Sequence, residues 1–292
     1  MKKKPEMKRI FQITSILFLC GALFQACTKL NEPYYTVKAV AADTSVRNVL
    51  LEDYTGHTCV NCAPAAKSAS ALEDLYKGQV FVISVHAGSF ARPNFVLYPP
   101  YLKADYTCAT GNDWYSTSLF NIDQNPKGMV NRTAYNGKVS FVPSEWGGAI
   151  EAAIKLPKAA IMSMTNSFDT GSMTISARVQ TKFLLKFTNP VNLCVCILED
   201  SIYGGQENKV DGDSIPIIKN FRFMHMLRGA INGSFGEQIA ASADVNTLVT
   251  KNYTFAFGTK TWKPAHCSLI AFISDASTKE VLHVIKAPFI LP

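Results

Sequence analysis

Two cysteines separated by two residues, Cys59-Val60-Asn61-Cys62, are the side chains of this chain best placed to do chemistry. A pair at that spacing closes a small disulfide ring or passes a disulfide to another protein. Thiolate, not thiol, is the nucleophile in such exchange. Unpaired backbone N–H groups and the positive dipole end at a helix start favour the thiolate. Cys59 is therefore expected to attack, and Cys62 to resolve the mixed disulfide. In an exported protein the same four residues also read as a plain structural disulfide, and both readings stand.

The elements around the pair must place it at a helix start. Asn48–Tyr54 reads as a strand, Thr55–Thr58 as a turn, and Ala63–Tyr76 as a helix stopped at Gly78. Val80–His86 is a continuous apolar run suited to a buried central strand. From Ala87 to about Thr110 the pattern breaks into an insertion rich in proline and aromatic residues, and a short helix with Asp113 as its cap follows. Gly128–Arg132 and Lys138–Phe141 flank Asn136-Gly137, a two-residue hairpin signal. Pro143-Ser144 then opens a helix, with Ser144 as N-cap.

That order is the order of a thioredoxin-like domain. It spans residues 46–157, with an insertion at 87–118. In such a domain an acid before the first cysteine assists proton transfer. Asp53 holds that place, although its neighbour Glu52 could turn inward instead. Such domains also carry a cis-proline facing the cysteines, and Pro126 stands where it is expected. His57 and His86 are auxiliary candidates, since an imidazolium near a thiol lowers its pKa. His57, Cys59, Cys62 and His86 would together suit a soft metal. Their spacing is no recognised metal signature, so no metal or other cofactor is expected.

From about Ala159 the character changes. Met173, Ile175, Ala177 and Val179 alternate with polar residues, the period of a sheet with one wet face. Further strand candidates are Ile161–Thr165, Leu193–Leu198, Phe221–Leu227, Tyr253–Phe257, Leu269–Ser274 and Val281–Ala287. Strands without helices over residues 158–292 predict a β-sandwich, with Tyr203–Lys219 as its longest loop. Cys194 and Cys196 share a strand face and are poorly placed to bond each other.

The first 26 residues read as a lipoprotein signal peptide: a basic start from Lys2 to Arg9, then an apolar stretch too short to span a membrane. Leu23-Phe24-Gln25-Ala26-Cys27 is similar to a bacterial lipobox, which makes Cys27 the lipidation candidate and residues 27–45 a tether. The signal carries four of the seven formal positive charges, so the remainder is unremarkable and nucleic acid is not an expected partner.

Three separated segments are similar to one family. They are Leu51-Glu52-Asp53-Tyr54-Thr55-Gly56-His57-Thr58-Cys59-Val60-Asn61-Cys62-Ala63-Pro64, then Asn125-Pro126-Lys127-Gly128-Met129-Val130-Asn131-Arg132, then His225-Met226-Leu227-Arg228 with Gly236-Glu237. The family is that of the outer membrane protein 28-related lipoproteins of Gram-negative bacteria. The resemblance implies a thioredoxin-like domain followed by an immunoglobulin-like β-sandwich, lipid-anchored at the outer membrane and facing the periplasm or the surface. It implies little about activity. Thr58 stands where active thioredoxins usually carry tryptophan, and Val60-Asn61 is not their Gly-Pro pair.

Two functions follow. The first is thiol–disulfide exchange with exported thiol or disulfide proteins. The second is a non-catalytic, adhesin-like cell-envelope binding protein with a structural Cys59–Cys62 bond, using the aromatic insertion (Phe90, Phe95, Tyr98, Tyr101, Tyr106, Trp114, Tyr115). The surroundings of Cys59 separate them: an open groove favours exchange, and burial under the insertion favours the structural bond.

Overall fold

The computed structural model describes residues 46–96, 100–209 and 217–292. The signal peptide, Cys27 and the tether lie outside them, as does Tyr98 of the aromatic insertion. The fold is mixed α/β and mostly β.

Strand β1 (Val49–Thr55) runs parallel to β2 (Val80–His86), and helix α1 (Cys62–Leu75) makes the crossover between them. Strand β3 (Lys127–Val130) lies antiparallel on the other side of β1. Every residue of β1 is buried because both faces of the sheet are covered. On one face Ala65 and Ala69 of α1, with Trp146 and Ile150 of α3 (Trp146–Ile154), cover Leu51 and Val82. On the other, Trp114 of α2 (Ala109–Ser116) packs with Leu50, Ile83 and Phe272. A sheet covered on both sides needs apolar residues at consecutive positions, which is the composition of these strands.

The remaining strands are β4 (Ala160–Asp169), β5 (Thr174–Phe183), β6 (Val191–Glu199), β7 (Ile202–Glu207), β8 (Ile217–Phe223), β9 (Met226–Ala230), β10 (Glu237–Ala240), β11 (Leu248–Ala256), β12 (Cys267–Asp275) and β13 (Val281–Pro288). One sheet of eight strands takes the order β13-β12-β6-β9-β2-β1-β3, with β10 also paired to β6. Strand β9 is the seam: it pairs antiparallel with β6 and parallel with β2. A second sheet, β11-β5-β4, closes a core in which Phe168, Ile175 and Phe183 meet Val195 and Leu269.

Several local expectations need correction. Tyr203–Lys219 is not a plain loop, because β7 and β8 pair as an antiparallel hairpin within it. Its Gly204-Gly205 carries no strand signal but allows close approach: a Cβ at Gly204 would lie 2.2 Å from the Tyr106 hydroxyl. Phe221–Leu227 is not one strand, since His225 takes a positive φ of 53° and divides β8 from β9. Helix α2 starts ahead of Asp113, capped by the Cys108 sulfur, which accepts from the Gly111 N–H at 3.3 Å. Ser144 lies in a 3-10 turn and caps nothing by its side chain. Asn136-Gly137 does form a tight turn, with φ values of 49° and 77° joining Tyr135 to Lys138. Cys108, Cys194, Cys196 and Cys267 are free thiols.

Candidate functional site

Cys59 and Cys62 form a disulfide with Cα atoms 5.4 Å apart. Cys62 is the first residue of α1, and Cys59 lies in the turn before it, where its carbonyl accepts from the Cys62 N–H. Both are buried, at 3 % and 1 % exposure. Two segments roof them. From the insertion, the Phe90 carbonyl accepts from the Thr58 N–H and hydroxyl, at 3.1 and 3.0 Å. From the β7 end, the Gln206 amide nitrogen reaches the carbonyls of Gly56 and Cys59, at 3.3 and 3.0 Å. Backbone bonds from Glu207 N–H to the His57 carbonyl and from Lys209 N–H to the Val60 carbonyl extend that clasp.

Gly56 is fitted to the roof, since a Cβ there would come within 2.4 Å of the Phe90 backbone. Gly56→Ala therefore has to push the Phe90 turn outward, at a cost of about 1–3 kcal/mol. The expected result is a faster opening of the Cys59–Cys62 bond by dithiothreitol, with a lower Tm. Unchanged rates and Tm would show that the Phe90 turn does not guard the sulfurs.

Glu52 and Asp53 are both fully buried but point to opposite faces. Glu52 holds Arg132 through two bonds of 2.9 and 2.7 Å. Asp53 instead lines a cavity of ≈ 270 Å³ beneath α1, together with Cys62, Val82, His86 and Phe223. Neither of its carboxylate oxygens has a hydrogen-bond partner. Burial without compensation pushes its pKa up to about 7. Asp53 thus shares a cavity with Cys62, and Glu52 does not.

His57 and His86 are both buried, with their rings packed edge-on against Tyr106 at 5.0 and 5.6 Å. Burial lowers the pKa of each, that of His86 to about 3. Burial thus favours the neutral ring at both positions, which opposes an imidazolium role. The peptide bond before Pro126 is cis. Pro126 directly precedes Lys127, the partner of Tyr54 in the β1–β3 register, and both polar atoms of the Asn125 side chain are buried without a partner. Among the described residues no group of three or more His, Cys, Asp or Glu side chains is placed to hold a metal ion.

Sequence reasoning missed the roof. Gln206 and the Phe90 carbonyl carry no motif, because one acts through a lone amide and the other through backbone. His225 and Arg228, from the third family-like segment, have separate partners. His225 bonds Glu73 of α1 at 2.8 Å and Asp200 at 3.2 Å, whereas Arg228 pairs with Glu199 at 2.7 Å. Of the aromatic insertion, Trp114 and Tyr106 are buried, while Phe95 is 70 % exposed.

A profile of the family described as outer membrane protein Omp28 matches residues 114–289, more than half of the chain. The chain belongs to the outer membrane protein Omp28 family. Membership places it at the outer membrane; among the described residues no helix is long and apolar enough to cross a membrane. The match begins beyond Cys62, so membership by itself says nothing of the cysteine pair. No curated protein matches the chain.

Two solved structures share the fold. HBP35 of Porphyromonas gingivalis is similar with a TM-score of 0.58 and 17 % identity, over 86 % of this chain and 77 % of that one. A protein of Agrobacterium tumefaciens is similar with a TM-score of 0.50 and 13 % identity, over 84 % and 95 %. A domain of the outer membrane lipoprotein Omp28 from Porphyromonas gingivalis, 21 % identical, covers 46 % of this chain and 89 % of its own, with a TM-score of 0.31.

Proposed function

We propose that this Omp28-family protein is a lipid-anchored protein of the cell envelope whose Cys59–Cys62 disulfide takes part in thiol–disulfide exchange, and that its roofed state is the resting one. Residues 46–157 form the thioredoxin-like part and 158–292 an immunoglobulin-like β-sandwich, with acylated Cys27 as anchor and residues 27–45 as tether. The observation that carries the reading is the Asp53 carboxyl, fully buried, without a partner and sharing one cavity with Cys62. A carboxyl that a purely structural disulfide does not need costs stability there. Its pKa of about 7 suits it to take a proton from a thiol and return it near neutral pH. The cis bond at Pro126, one position before the edge of β3, agrees with a thioredoxin-like arrangement.

The burial of both sulfurs under Phe90 and Gln206 favours the second reading, a non-catalytic binding protein with a structural disulfide. Equilibration in glutathione buffers of the full mature chain separates the two. A potential between roughly −120 and −270 mV supports exchange, and one below about −300 mV marks a structural bond and sinks the exchange reading.

A further inference from the structure

The roof and the cavity give unequal access to the two sulfurs. Cys59 lies under the Phe90 and Gln206 contacts and does not line the cavity, whereas Cys62 does. Displacement at a disulfide is in line: the nucleophile approaches the attacked sulfur from the side away from the leaving sulfur. A nucleophile coming from the cavity therefore meets Cys62 and expels Cys59. The cavity, ≈ 270 Å³, lies at the small end of ligand sites and is too small for a polypeptide loop. Its walls are apolar at Val82, Phe221 and Phe223. The Asp53 carboxyl, without a partner, lies fully buried in its wall, and the exposed lining side chains Lys67 and Arg222 are cationic. The nearby carboxylates of Glu73 and Asp200 are engaged by His225.

We propose that this cavity is the port for a low-molecular-weight thiol carrying a carboxylate or sulfonate, which attacks Cys62 rather than Cys59. The proposal rests on the exchange reading above and names the substrate class for it. Lys67 and Arg222 attract the anionic group, and the thiol passes along the apolar wall toward Cys62. The thiol proton goes to the Asp53 carboxylate, a bond forms between the small sulfur and Cys62 Sγ, and the Cys59–Cys62 bond breaks with its electron pair leaving on Cys59. That thiolate then takes the proton from Asp53. A second small thiol attacks the sulfur of the bound one and expels Cys62, which leaves as a thiol, so two thiols are oxidised to a small disulfide and one protein disulfide is reduced to two thiols. The polarity is the reverse of that expected from the sequence, in which Cys59 exchanges with the partner.

The test uses the oxidised full mature chain and three small thiols: 2-mercaptoethanesulfonate, 2-mercaptoethanol and 2-mercaptoethylamine. Opening rates are compared per thiolate at low salt, and acid-quenched mixed disulfides are mapped by peptide mass spectrometry. The sulfonate is expected to react about tenfold faster than the amine, with its adduct on Cys62. Lys67→Ala with Arg222→Ala should abolish that preference. Ala66→Leu, which fills the cavity from a helix position that accepts leucine, should slow all three thiols without moving the circular dichroism spectrum. An adduct on Cys59, or rates insensitive to thiol charge and to Ala66→Leu, overturns the port while leaving exchange intact. Opening by all three thiols at no more than the global unfolding rate overturns the exchange reading itself.

Discussion

Arg132→Met is expected to lower the unfolding free energy by about 3–5 kcal/mol, because it strands a buried carboxylate. Glu52 is fully buried and its two close bonds both come from Arg132. The guanidinium also lies 4.6 Å from the Trp114 ring centre, 4.8 Å from that of Phe120 and 5.1 Å from that of Phe272. Burial opposes the Arg132 charge, but the Glu52 carboxylate outweighs it and the pKa rises. For a chain of this size the loss corresponds to about 2–4 °C in Tm per kcal/mol. The double change Glu52→Leu with Arg132→Met removes both charges and should recover most of the loss. Urea unfolding of the three chains decides it. A single variant as stable as the parent would show that the pair is not what holds β1 and β3 together.

Asp53→Asn has the opposite sign and a pH signature. The folded-state pKa of about 7 lies above the ordinary value of 3.8. Between those values the folded chain keeps a proton that the unfolded chain has released, so stability falls as pH rises and levels off above 7. Asparagine removes the titration. Near pH 4 the two chains should therefore differ little on this account, and by pH 8 the variant should lead by about 4 kcal/mol, at 1.36 kcal/mol per pH unit. His86 and His283, both lowered to about 3, contribute a slope of their own below pH 6.5. They are present in both chains and cancel in the difference. Parallel urea titrations at pH 4.5, 6 and 8 measure it, and a difference constant across that range would show that Asp53 is not the proton-holding group. The same variant removes the proton acceptor from the cavity, so gained stability with slowed disulfide opening would be the mark of a site that trades one for the other.

The residues nearest the cysteines were the most legible. A strand, a tight turn, Cys-x-x-Cys and a helix are encoded by local pattern, and β1, α1 and β2 stand close to their expected bounds. The choice between Glu52 and Asp53 was not legible, and the reason is physical. Period-two alternation identifies the inward face only when the other face is wet, and β1 is covered on both sides. The roof was hidden for a different reason. Its contacts are backbone carbonyls and one amide brought together across 147 residues, from Gln206 to Cys59, and β7, which delivers Gln206, has Gly204-Gly205 at its middle, which carries no strand signal. Strand β9 was hidden by length and by distance in sequence. It is five residues long and meets β2 through the single register pair Ser84↔Met226.

Strand β9 also sets a timetable. A chain made or exported from its N-terminus presents β1, α1 and β2 first, and the edge of β2 then has no neighbour until Met226–Ala230 arrive. An apolar strand with an open edge is a template for pairing with other chains. Residues delivered late in synthesis therefore protect those that emerge first. A stop codon between β2 and β9 would release a product with that edge bare, fit for proteolysis or aggregation rather than for half a function.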